Sequence, residues 1–245
     1  MTKNIFSWLL FSVFGIIGSP AFLLLRLSGR VIVRGKDNIP KGRLKNVLFV
    51  SNHPSFLETV LIPFAAFWPK GIINPLSYVP WQTPDKRIVD NFPLLNLMRC
   101  IPVGNVLGFR KDPSAYRRLK KLLPDNALLI FAEGGRSGKA KHREGILYYT
   151  NQGNIPIGKP EPGVGALIRY GAPLIIPVLV RGAEKVLPIG TAIPNFTKSK
   201  VEIIFGSPYK FQKSPPEEFQ GKNRELHQWF ADQAMLSVAK LDDET

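Results

Sequence analysis

The most apolar stretch of the chain is its beginning. From Ile5 to Leu25 it reads IFSWLLFSVFGIIGSPAFLLL, with no charged residue. That is enough helix to cross a hydrocarbon core, which takes roughly 20 residues. Lys3 precedes the stretch, and Arg26 and Arg30 follow it. Its length and the absence of a small-x-small cleavage pattern argue for a retained anchor rather than a removed signal. Gly15, Gly18, Ser19 and Pro20 interrupt the run. The interruption predicts one of two forms, a kinked spanning helix or a helical hairpin dipping into one leaflet. Basic residues at both ends fit a hairpin whose ends lie on the cytoplasmic side.

Beyond residue 29 the pattern shortens. Arg30–Arg34, Asn46–Ser51, Ala127–Phe131, Leu174–Val180 and Val201–Phe205 are brief apolar or alternating runs between polar residues, which predict strands. Leu76–Val79 has the same look and is read as a further strand. Helices are predicted from Pro54 to about Phe67, over DPSAYRRLKKLL with Asp112 as cap and Pro124 as stop, over Pro162–Tyr170, and from about Pro216 to Lys240. Strands alternating with helices give an α/β fold, a mixed β-sheet flanked by helices, with the N-terminal membrane-associated helix or helical hairpin attached. Residues 1–29 are expected to form the anchoring segment and residues 30–245 one domain.

Composition narrows the partners. The net charge of +15 implies an anionic partner, whether nucleic acid, a lipid surface or an acidic substrate. The apolar N-terminus favours membrane lipids. The basic residues are spread over loops without interleaved aromatics, which speaks against nucleic acid. Their one cluster, Arg117-Arg118-x-Lys120-Lys121, forms the polar face of a helix, read either as simply solvated or as facing anionic headgroups or an acidic carrier protein. The lone Cys100, in an apolar run, excludes an internal disulfide and a cysteine-based zinc cluster; it reads as a core residue of a cytosol-facing protein.

Two polar constellations stand at strand ends. His53 directly follows the strand ending at Ser51-Asn52, with Glu58 five residues on, about one turn into the next helix. A carboxylate on one ring nitrogen fixes the tautomer and supports positive charge, leaving the other nitrogen to accept a proton. The bland reading is a helix-capping histidine and an unrelated glutamate. His142 and His227 lie in polar segments and read as solvated. The second constellation is Phe131-Ala-Glu133-Gly134-Gly135-Arg136-Ser137, a strand running into a Gly-Gly turn. Such a turn can aim amides at a ligand, and Arg136 offers a fork for phosphate. Glu133 can accept from a substrate hydroxyl or hold Arg136. The bland reading here is an ordinary surface turn.

In order along the chain these segments resemble the glycerolipid (lysophospholipid) acyltransferase family. Asn52-His53-Pro-Ser-Phe-Leu-Glu58 is similar to its N-H-x-x-x-x-D block, and Phe131–Ser137 to its F-P-E-G-T-R-S block. Ile176-Pro177-Val178 is similar to its V/I-P-V strand, and RVIVRGKDNIP to its opening strand and turn. The resemblance covers roughly residues 30–210. It implies acyl transfer from a thioester, acyl-CoA or acyl-carrier protein, to a glycerol-type hydroxyl such as that of lysophosphatidate. His53 would be the base and Glu58 its orienter. Asn52, Arg99, Glu133, Gly134, Gly135, Arg136, Ser137 and Lys159 would serve the substrate, with no metal or redox cofactor. The active site would lie on the cytoplasmic side of the membrane.

The departures fall at the expected acceptor site. Glu58 replaces the usual Asp, and Ala132 and Gly135 replace Pro and Thr. Arg99 comes earlier than the family's second-block arginine, and Gly104 stands near the expected place. Glu161-Pro162-Gly163 stands where Lys-x-Gly is common, with Lys159 as a stand-in, and residues 142–156 look inserted. An acceptor without phosphate therefore stays open, as does a non-catalytic basic membrane-binding protein. Phe56, Phe64, Phe67 and Trp68 are candidate walls for an acyl tunnel.

Overall fold

The computed structural model describes residues 2–103, 113–137, 146–149, 156–211 and 223–242. Gly104, the Asp112 cap, His142, the cations Lys139, Lys141 and Arg143, and the expected helix start at Pro216 lie outside them.

Eight strands are described: β1 (Val31–Arg34), β2 (Val47–Ser51), β3 (Trp81–Gln82), β4 (Ala127–Phe131), β5 (Ile146–Tyr149), β6 (Pro156–Gly158), β7 (Leu174–Arg181) and β8 (Val201–Phe205). Six of them form one mixed sheet in the order β1-β8-β7-β2-β4-β3. The β7-β2-β4-β3 block is parallel, β8 runs antiparallel to β7, and β1 is parallel to β8. The central strands read as unbroken apolar runs because both faces are covered. Leu48, Val50, Leu128, Ile130, Ile175 and Leu179 pack on one side, against helices α6 (Pro113–Leu122), α7 (Pro162–Gly171) and α9 (Asn223–Lys240). Phe49, Leu129, Ile176, Val178 and Ile203 pack on the other, against α1 (Thr2–Leu27) and α2 (Glu58–Phe67). The mixed α/β sheet flanked by helices is the architecture that the sequence pattern predicts.

Two local readings change. The run at Leu76–Val79 is not a strand; it falls in a helical turn, Pro75–Tyr78, with Pro75 in the first position where its missing N–H costs nothing. The helix expected from Pro54 starts four residues later, at Glu58, and residues 54–57 form a turn instead. β5 falls in the stretch that looked inserted and pairs antiparallel with β6, which begins at its end, as a separate two-stranded sheet.

The N-terminal segment is one continuous helix through Pro20, not a hairpin. Its small residues make a packing surface rather than a break. A Cβ on Gly15 would stand 2.9 Å from Ile72 Cγ1, and one on Gly18 would stand 2.8 Å from Phe64 Cζ. Ser12 donates to the Ile72 carbonyl, Trp68 Nε1 donates to Ser19 Oγ, and the Phe22 ring tilts against Phe64 at 5.4 Å. Buried Ser7, Ser12, Gly15 and Phe22 thus mark one side docked along the helix, while Ile5, Leu9, Val13, Ile16, Ile17, Leu24 and Leu27 face outward. The window Ile5–Leu27 is long and apolar enough to cross a membrane, with 17% of it buried.

Candidate active site

Parallel strands β2 and β4 end side by side, with Ser51 beside Phe131, and the polar clusters follow from both ends. This is where open α/β sheets place their ligand crevices. Asn52 is the first residue past β2, and its side chain continues the sheet. Its amide donates to the Val180 carbonyl at 2.8 Å, and its oxygen accepts from the Val180 N–H at 2.9 Å. The buried amide thus stands in for one more residue of ladder, and fixes where the chain turns toward His53.

The turn at residues 54–57 brings Glu58 back onto the histidine. One carboxylate oxygen lies 2.5 Å from His53 Nδ1 and accepts from the Ser55 N–H at 2.9 Å. Glu58 is fully buried, whereas 12% of the His53 side chain stays exposed. With Nδ1–H committed to Glu58, Nε2 carries the free lone pair. The Ser55 hydroxyl donates to the Leu187 carbonyl, which pins the turn to the segment after β7.

Glu133 joins the two strand ends to β6. One oxygen accepts from the His53 N–H at 3.0 Å and from the Ser137 hydroxyl at 2.8 Å; the other accepts from the Gly158 N–H at 3.1 Å. Burial pushes this carboxyl above its ordinary range, against the pull of those three donors toward the carboxylate. The Ser137 N–H closes the ring by donating to the His53 carbonyl at 2.8 Å. Gly134 turns the chain in the left-handed region, φ +65°, and a Cβ there would stand 2.8 Å from Glu161 Cγ; Gly135 has open space around it. The Arg136 guanidinium sits 4.3 Å from the Phe56 ring centroid, and Phe56 meets the His53 ring edge-on at 6.1 Å.

The structure therefore gathers Asn52, His53, Glu58, Glu133, Gly134, Gly135, Arg136 and Ser137 at one crevice. Two expected residues stand elsewhere. Arg99 is buried near the opposite end of β4, donating to the Leu76 carbonyl and to Asn126 Oδ1, with its guanidinium 5.0 Å from the Trp81 ring. Burial lowers its pKa to about 10. Lys159 is exposed beyond β6, where its charge acts on Asp232 of α9. His227, expected in solvent, is half-buried with its ring 5.4 Å from that of Tyr170, and burial lowers its pKa. No group of three His, Cys, Asp or Glu that could hold a metal gathers among the described residues.

Phe131, which the sequence offered only as the head of the second constellation and without a role, stacks on the His53 ring with centroids 4.2 Å apart. Its signal was its place as the last residue of a buried strand, directly before the Ala-Glu-Gly-Gly turn.

The same arrangement of sheet and helices occurs in a solved structure, the crystal structure of the 1-acyl-sn-glycerophosphate (LPA) acyltransferase PlsC from Thermotoga maritima. The match has a TM-score of 0.51 at 19% sequence identity and covers 96% of this chain and 79% of that one. The fold is PlsC-like. No family model matches the sequence, and no curated protein matches it. At this identity the likeness speaks for the fold, and the chemistry rests on the crevice itself.

Proposed function

We propose that the protein is a membrane-associated O-acyltransferase, moving a fatty acyl group from an acyl thioester to the hydroxyl of a glycerol-type lipid precursor such as lysophosphatidate. The observation that carries this reading is the 2.5 Å contact between His53 Nδ1 and the buried Glu58, at the end of a parallel strand and beside Arg136. The PlsC-like fold supports it.

In this reading His53 Nε2 takes the proton of the acceptor hydroxyl as the oxygen attacks the thioester carbonyl carbon. The imidazolium that forms keeps its Nδ1–H on Glu58. The tetrahedral intermediate collapses with cleavage of the C–S bond, and the leaving sulfur takes the proton back from Nε2. Base catalysis of this kind contributes about 10²–10⁴-fold, and positioning of the two substrates supplies much of the rest. Arg136, whose guanidinium lies on the ring of Phe56, would pair with an anionic part of either substrate. Glu133 has both oxygens engaged by the chain, so in this reading it holds the crevice together rather than touching the acceptor.

Helix α1 would serve as the anchor, lying in one leaflet. Its docked side binds it to the rest of the molecule from Ser7 to Phe22, while outward Ile16, Ile17 and Leu24, with neighbouring Ile73 and Phe92, present apolar surface. Burying such surface in lipid is favourable by roughly 25 cal/mol per Å². The basic residues flanking α1 favour a cytoplasmic crevice.

One observation favours a second acceptor class. The Glu161 side chain lies against Gly134, at the turn where an acceptor phosphate would settle, and an acceptor without phosphate would sit there more easily. The test offers membranes carrying the protein labelled acyl-CoA or acyl-carrier protein, with lysophospholipids, glycerol-3-phosphate and lipid alcohols. A product formed by the wild type and lost in His53→Ala, with membrane binding unchanged, is the expected result and names the acceptor. No product from any pair, or equal product from His53→Ala, contradicts the proposal.

A further inference from the structure

The His53 ring is covered on one face as well as held at its edge. Phe131 lies flat against it, with centroids 4.2 Å apart and planes 17° from parallel. Register brings the phenylalanine there. Phe131 shares a sheet face with Leu129, the face on which α2 packs, and stands beside Ser51 at the end of the parallel pair. Phe56 approaches the imidazole edge-on at 6.1 Å and carries Arg136 on its ring.

With ring planes in contact at about 3.5 Å, centroids 4.2 Å apart describe an offset stack, a favourable arrangement for two aromatic rings. The same arrangement gains further when one ring becomes a cation lying over the other's electron-rich face. We propose that Phe131 is a positioning residue for His53: it fixes the plane of the imidazole, and its ring face stabilises the imidazolium that forms when His53 takes the acceptor's proton. The proposal rests on His53 being the general base.

Other charges also face His53. Among the described residues these are Glu58 at the start of α2, Glu133 after β4, which accepts from the His53 N–H, and Arg136, whose guanidinium lies on the Phe56 ring. Phe131 adds a cation-stabilising surface that carries no charge of its own, so it also survives in the dry crevice of a bound complex.

The test compares wild type, Phe131→Leu and Phe131→Tyr in the full-length protein. Leucine keeps the hydrophobic contact and removes the π face; tyrosine restores it. For Phe131→Leu, kcat should fall roughly 3- to 30-fold with the acceptor KM unchanged. The acid limb of the rate profile should move to lower pH, since losing a partner of the imidazolium favours the neutral ring. The His53 ring-proton signal, assigned by its disappearance in His53→Ala, should titrate at correspondingly lower pH in the substrate-free protein. Phe131→Tyr should return both readouts to within about threefold of wild type. An unshifted titration in Phe131→Leu overturns the proposal, as does a loss shared equally by both variants and tracking a lowered Tm. The titration needs no substrate, so a wild type without transfer activity would contradict the acyltransferase reading, while the titration would still decide the role of Phe131.

Discussion

At the scale of single residues, a carboxylate five positions from a histidine reaches it here because α2 starts late. Had the helix begun at Pro54, Glu58 would have stood a full turn along it; the turn at 54–57 folds its carboxylate back over Ser55 N–H and His53 Nδ1. The longer reach of Glu relative to Asp is used in that return. Glu58→Gln replaces the acceptor of the Nδ1–H with a group that can instead donate, which permits the wrong tautomer. We expect kcat to fall on the order of 10²–10⁴-fold with KM little changed; steady-state kinetics with a fixed donor measure it, and a variant within threefold of wild type would remove Glu58 from the mechanism. The His53–Glu58 pair was legible because both partners sit within six residues. The roles of Asn52, Glu133 and Arg99 were not. Asn52 bonds to Val180, 128 positions away, and Glu133 bonds to His53, 80 positions away. Arg99 reaches Asn126 across 27 positions. Only the folded sheet brings these partners together, so the hydrogen bonds these residues make within the chain could not be read from the sequence.

At the scale of elements, the small residues of α1 show how one pattern can mean two things. Gly15, Gly18, Ser19 and Pro20 suggested a break in a membrane segment, yet they let Ile72 and Phe64 approach the helix backbone. Glycine costs helix propensity by roughly 1 kcal/mol, and here close packing offsets that cost. Gly18→Leu raises the hydropathy of α1 but drives a side chain into Phe64. We expect membrane flotation to be unchanged while stability drops by about 1–3 kcal/mol, seen as a lowered Tm; unchanged Tm would mean that α1 does not dock on α2. Short apolar runs were the other weak point. Leu76–Val79 has strand composition but follows Pro75, and four residues carry too little periodicity to separate strand from helical turn. The two-residue β3 left no readable pattern at all.

At the scale of the whole molecule, the legible feature was burial on both sheet faces. Runs such as Val47–Ser51 and Leu174–Arg181 are apolar at odd and even positions alike, which demands helices on both sides. Strand order was not legible, since the pairing of β1 with β8 joins the two ends of the sequence's strand list and depends on the packing of the whole. The resulting arrangement sets an apolar helix along one face and the histidine cluster at the strand ends. In the proposed reaction His53 is the base of that cluster. His53→Gly leaves a slot between Phe131 and Phe56 shaped for a free imidazole. The most direct measurement is the acyl-transfer rate of His53→Gly with and without added imidazole. The rate should fall roughly 10²–10⁴-fold without it and return in part, saturating with imidazole concentration. A variant that transfers at the wild-type rate without imidazole would contradict that role for His53.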